Sequence, residues 1–214
     1  MASIVLMAAG ERGETYEALV AEHGRPEYER FLGSAELRGS GPELTIVVSV
    51  DEMVVAPLGR KLTLGNDVAI QVRRARVEGG PSADWLRSTF ATLCRELSPA
   101  WGCAQHSIEY WAKVMNDGPG AEAIGRDFGR YLPGVFWLNY FGRPYVDLLG
   151  TRLSSAPGAE AVGDGVLIAV GDDPRSWDEP AAVAGEQLVR DHLGPELFFS
   201  KGEPDRIGIV PDWG

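Results

Sequence analysis

The run Val135-Phe136-Trp137-Leu138-Asn139-Tyr140-Phe141 carries large apolar side chains at both odd and even positions. Aromatic and β-branched residues favour strand, and a strand sends alternate side chains to opposite faces. A strand over 135–141 therefore puts Val135, Trp137, Asn139 and Phe141 on one face and Phe136, Leu138 and Tyr140 on the other. With apolar groups on both faces, it has to be a central strand covered on both sides or an edge lying beneath a helix. Gly142 then permits a sharp exit. Pro144 suits the first turn of a short helix holding Tyr145, Leu148 and Leu149, with Gly150 as its C-cap.

The rest of the chain supplies partners for that strand. Leu44, Ile46, Val48 and Val50 alternate cleanly, and Val68, Ile70 and Val72 keep the same phase, so the two segments are expected to pair. The phase shifts near Arg73 and Arg74, which predicts a bulge. Ser82 can cap a helix over 83–97 whose apolar stripe is Leu86, Phe90, Leu93 and Leu97, with Cys94 beside Phe90. Further helices are expected over 15–23, from Pro26, over 121–131, and from Pro180 to Gly194-Pro195. "CAQHSIEYW" and "GVLIAVG" read as strands, and "ELFFS" and "RIGIVP" as short strands or extended edges. Strands in runs with helices inserted singly give an α+β fold, a mixed and mainly antiparallel sheet with helices packed on it. No repeat or linker interrupts residues 1–214, which are expected to form one domain.

The formal charge is −11 over 214 residues, and residues 151–214 hold 12 acidic against 5 basic residues. Such a field repels a phosphate backbone, so no nucleic-acid partner is expected. It keeps the protein soluble and would recruit a cationic partner. The short apolar run in "MASIVLMAAGERG" has no basic residues before it and is too short to span a bilayer. The chain is expected to be cytoplasmic, away from membrane, with both cysteines reduced.

Candidate chemistry is sparse. Cys103 and His106 stand three apart, but no second ligand pair is near in sequence, and on a strand they point to opposite faces. Asp172 and Asp173 end a strand, where acids can bind metal or act as a base, yet Asp-Asp-Pro also describes a plain turn into a helix. Gly163 and Gly165 lack the strand and helix that a phosphate loop needs. Arg73, Arg74 and Arg76 could grip an anion or simply be a solvated strand end. No metal or cofactor is expected. Asn139 is the unusual residue: once buried it must brace a loop or meet a ligand. The Gly142 exit is expected to project Tyr140, Arg143 and Tyr145 towards the rim, so the segment 139–145 becomes the candidate binding site, Tyr and Arg being common interface anchors.

The order "SPAWG", "PGVFWLNYFGRPYVDLLG", "GVLIAVGDDPRSWD", "HLGPELFFS", "IVPDW", spanning roughly residues 98 to 213, resembles a group of uncharacterised bacterial proteins similar to immunity proteins of polymorphic toxin systems. The resemblance implies a non-enzymatic protein that occludes a toxin, with an acidic surface steering a basic partner. It supplies no catalytic residues. The competing readings are a small-molecule enzyme using Asp172, Asp173 or His106 in a pocket, and a structural or assembly component.

Overall fold

The computed structural model describes residues 2–8, 34–40, 44–51, 54–55, 61–62, 66–72, 82–115, 125 and 127–212. Ten strands are described: β1 (Ala2–Ala8), β2 (Ser34–Ser40), β3 (Leu44–Asp51), β4 (Val54–Val55), β5 (Lys61–Leu62), β6 (Asn66–Val72), β7 (Trp101–His106), β8 (Leu138–Phe141), β9 (Ala159–Val162) and β10 (Gly165–Ala169). The helices are α1 (Ser82–Leu97), α2 (Ser107–Val114), α3 (Arg143–Leu149), α4 (Thr151–Ser154) and α5 (Pro180–Leu193). Eight strands form one sheet in the order β2-β3-β6-β1-β7-β8-β10-β9, with every neighbouring pair antiparallel. An isolated parallel bridge joins Leu132 to Phe198. The fold is α+β.

The expected β3–β6 pair is present, and its register sets Leu44 opposite Val72, Ile46 opposite Ile70 and Val48 opposite Val68. The phase read from each segment is thus the phase in which they meet. The expected helices over 15–23 and from Pro26, the bulge and the Arg73, Arg74, Arg76 cluster lie outside the described residues. β1 pairs with β6 on one side and β7 on the other, so it joins the N-terminal strands to the rest of the sheet.

The sheet is covered on both faces where β7, β8 and β10 run. On one face, Leu86, Phe90 and Cys94 of α1 pack with Ala104, Leu138, Tyr140 and Leu167. On the other, Trp101, Phe141, Val166 and Ile168 meet Tyr145 and Leu149 of α3, Leu153 of α4, and Val189 and Leu193 of α5. β8 is flanked by β7 and β10, which makes it the central strand that its two apolar faces require. Leu97, expected in the α1 stripe, is half exposed instead: the helix ends there and Ser98 turns away at φ 43°.

Three expected boundaries shift, each for a local reason. The strand begins at Leu138 rather than Val135, and Trp137 joins Leu138 and Tyr140 on the α1 side while Phe136 joins the opposite cluster. Strict alternation therefore starts only at Leu138. The segment read as "CAQHSIEYW" is strand only to His106, after which α2 begins with His106 as its N-cap. Of the helix expected over 121–131, residues 127–131 form a single turn, with the Arg130 and Tyr131 amides both bonded to the Asp127 carbonyl. "ELFFS" contributes a short 3-10 turn and the Phe198 bridge, and "RIGIVP" is extended chain outside the sheet.

Gly163 and Asp164 form a two-residue hairpin between β9 and β10, closed by the Val162–Gly165 pair. Gly163 has φ 60°, as a type II′ turn needs at its first central position. Of the two glycines weighed for a phosphate loop, Gly163 opens a hairpin turn and Gly165 begins β10, and the strand before them is β9.

Candidate functional site

The site is built where β8 leaves the sheet. Gly142 is extended, at φ −77° and ψ −170°, so it is not there for conformational freedom. Its amide bonds to the Ala100 carbonyl at 2.9 Å, and a Cβ at this position would lie 2.0 Å from the Pro99 oxygen. Only glycine lets the "SPAWG" segment cross this close. α3 then starts at Arg143 with Pro144 in its first turn, and Gly150 ends it at φ 55°.

The four candidate residues separate. Asn139 is fully buried: its Oδ1 accepts from the Phe136 amide, and its Nδ2 donates to the carbonyls of Phe136 and, at 3.4 Å, Ile168. Of the two fates open to a buried Asn, it braces the chain before β8. Tyr140, expected at the rim, is buried under α1, and its hydroxyl donates to Asp164 Oδ1 at 3.0 Å. Burial, reinforced by Asp164, pushes that phenol well above its ordinary range. Tyr145, also expected at the rim, faces inward because it occupies the sheet-facing side of α3. Its ring lies edge-on to Phe141 at 5.7 Å. Arg143 alone of the four is exposed, with Nε bonded to Asp147 at 2.9 Å one turn on.

Arg143 and Asp147 border an open groove of about 520 Å³. Its floor and walls come from three separate parts of the chain: Ser98 and Ala100 after α1, Pro144 and Leu148 on α3, and Pro211 and Asp212 near the C-terminus. The lining mixes apolar side chains with one cation and two acids. It can hold an apolar anchor and present charge at its edge.

Of the residues of the enzymatic alternative, His106 and Asp173 are each engaged in a local contact. His106 Nδ1 accepts from the Ile108 amide at 3.3 Å as the cap of α2. Asp173 accepts from the Arg175 amide at 2.8 Å and is clasped by the Arg175 guanidinium, which holds its carboxyl below the usual range. Asp172 is exposed. Cys94 and Cys103 are buried free thiols whose pKa is driven up by burial, the opposite of what a nucleophile needs. Among the described residues, no group of three or more His, Cys, Asp or Glu is arranged to hold a metal, and no helix is long and apolar enough to cross a membrane.

No protein-family model and no curated protein matches the chain. Among solved structures it is similar to a T6SS protein of Pseudomonas aeruginosa, PA0821, at 14% identity. The match covers 96% of this chain and 72% of that one, with a TM-score of 0.43.

Sequence reasoning located Arg143 but missed Ser98, Ala100, Pro211 and Asp212. The only signal was that "SPAWG" and "IVPDW" resemble the same protein group as the α3 segment. Nothing local says that the three meet.

Proposed function

We propose that the protein is a non-enzymatic binding protein of the immunity type, which neutralises a bacterial toxin by direct contact through the groove beside Arg143. The observation that carries this reading is convergence. Three of the five segments that carry the resemblance line one open groove, although they are far apart in sequence. The contact is stoichiometric: the acidic field of a −11 chain speeds encounter with a basic partner. Leu148 and Pro144 then offer apolar surface while Arg143 exchanges Asp147 for a carboxylate of the partner. Asn139, Tyr140 and Tyr145 serve by fixing β8 and α3 beneath the groove.

The test is affinity capture of the partner from the source bacterium, its identification by mass spectrometry, and calorimetric titration with purified components. The expected result is a one-to-one complex that weakens roughly 30-fold on Arg143→Ala, the loss typical of an interface anchor. A tight complex indifferent to Arg143→Ala would move the site elsewhere. Sustained turnover of a small molecule by the purified protein would replace the binding reading with the enzymatic one.

A further inference from the structure

Residues 206–212 are attached to the molecule differently from the helices that cover the core. After Phe199, whose amide bonds to the Leu132 carbonyl at 2.7 Å, two tight turns close between Ser200 and Arg206. The chain then runs extended to Pro211 and Asp212, which wall the Arg143 groove. Its apolar side chains do little to hold it. Ile207 is 78% exposed and Ile209 40%, and neither they nor Val210 joins the hydrophobic clusters that α1, α3, α4 and α5 enter. Pro211, at the far end, is the only buried residue of the stretch.

Polar contacts hold it instead. One terminal nitrogen of Arg206 donates to the carbonyls of Pro195 at 2.9 Å and Phe198 at 2.8 Å, and the other donates to Glu203 at 3.1 Å. From the turn at 127–131, Arg130 donates to the Asp205 carbonyl, and its own carbonyl accepts the Gly208 amide at 2.9 Å. The Ile209 amide donates to the Glu196 carbonyl at 3.1 Å. Gly208 lies so close that an added Cβ would stand 2.3 Å from the Glu196 oxygen and 2.7 Å from the Arg130 oxygen. When such a segment lifts, water replaces its hydrogen bonds, so little is lost. Burying little apolar area, it opens at far lower cost than the global unfolding that exposes β8.

We propose that residues 206–212 form a gate, a strap that lifts as a unit while the sheet stays folded and whose seating completes the groove beside Arg143. Arg206 is its latch at the hinge, and Gly208 is the point of closest approach. The gate regulates the binding site proposed above and rests on that reading. With the strap lifted, Pro211 and Asp212 leave the groove and one of its three walls is gone. A partner that contacts this wall binds the seated form alone. It therefore holds the gate shut, and its apparent affinity falls in proportion to the seated fraction.

Amide hydrogen exchange of the full chain, followed by NMR with no partner present, tests the gate. The Gly208 and Ile209 amides exchange through a local opening that low urea barely changes, whereas those of Leu138–Phe141 speed up with urea as global stability falls. Arg206→Ala melts with the wild type and speeds exchange at Gly208 and Ile209 by about tenfold or more, as the loss of charge-assisted bonds requires. Gly208→Ala, which pushes the strap off at its middle, speeds exchange at Ile209 likewise and serves if Arg206→Ala misfolds. Ile207→Ser changes nothing, because that side chain holds nothing. Strap amides as slow as those of β8 place the strap in the cooperative core and overturn the gate. Loosening by Ile207→Ser as great as by Arg206→Ala shows apolar packing to be the hold, and overturns it too. The double variant Arg206→Ala with Gly208→Ala leaves the strap mainly open and binds the captured partner about tenfold or more weakly. Full affinity with an open strap overturns its role at the groove. Arg143→Ala leaves exchange unchanged, so the groove reading can fail while the gate stands, and the gate can fail while the groove stands.

Discussion

Asn139 grips the backbone of Phe136 at both ends, its Oδ1 accepting from the Phe136 amide at 2.8 Å and its Nδ2 donating to the Phe136 carbonyl at 2.7 Å. A side-chain amide here does what a neighbouring strand would do for the residue that enters β8. Asn139→Ala strips both partners from a buried peptide unit, and an unsatisfied buried group costs about 1–3 kcal/mol. The variant is expected to lose about 3 kcal/mol in urea denaturation. Asn139→Asp keeps the acceptor but loses the donor and buries charge, so it should be no better. A variant as stable as wild type would show that the bracing is dispensable.

Trp137 and Arg143 should behave oppositely in stability. Trp137 is 4% exposed and packs with Leu138 and Tyr140 against α1. Trp137→Ala removes a large core side chain and costs about 3–5 kcal/mol. Arg143 is a surface residue whose ion pair with Asp147 is open to water, so Arg143→Ala should melt with the wild type. Thermal melts of both settle it: if Arg143→Ala falls as far as Trp137→Ala, the turn is scaffold and not a recognition site.

Glu109 predicts a pH dependence with a definite sign. Burial raises its carboxyl above the ordinary 4.5, against the opposing effect of Lys113, while Glu186 raises it further. The folded state then holds the proton more tightly than the unfolded chain does. Its contribution to stability is full below about 4.5 and is lost as pH rises through the folded value. Glu109→Gln cannot titrate. Its stability relative to wild type should therefore improve as pH rises from about 4 towards neutral, whatever constant offset the altered Lys113 contact adds. Urea midpoints of the two proteins across this range supply the comparison, and a flat difference contradicts it.

β1 hydrogen-bonds to β6 along one edge and β7 along the other. Deleting residues 1–8 would expose two strand edges in the middle of the sheet, so the truncated chain should aggregate or lose its cooperative melt. Limited proteolysis of the intact protein should not release two halves that refold separately. Two such halves would mean that the chain is two domains.

Features governed by short-range rules were legible in the sequence. Alternation gave β3 and β6 their facing phase, helical spacing gave Leu86, Phe90 and Cys94, and proline and glycine marked the ends of α3 and α5. The apolar content of both faces of β8 required cover on both sides, and α1 on one face and α3, α4 and α5 on the other supply it. What tertiary structure decided was every matter of partnership. "SIVLM" is too short an apolar run to announce a central strand, and β1 becomes one only through two long-range ladders. "IEYW" has strand propensity, yet His106 caps a helix there, and the ion pairs of Lys113 with Glu109 and Glu186 hold that helix with its tryptophan half exposed. Tyr140 and Tyr145 were expected at the rim beside Arg143, but the helices packed on either face take them into the core. The groove has no local signature at all, because its walls come from Ser98, Leu148 and Pro211, which share no sequence neighbourhood. Local propensity acts over a few residues, whereas burial and pairing are set by which distant segments exclude water together.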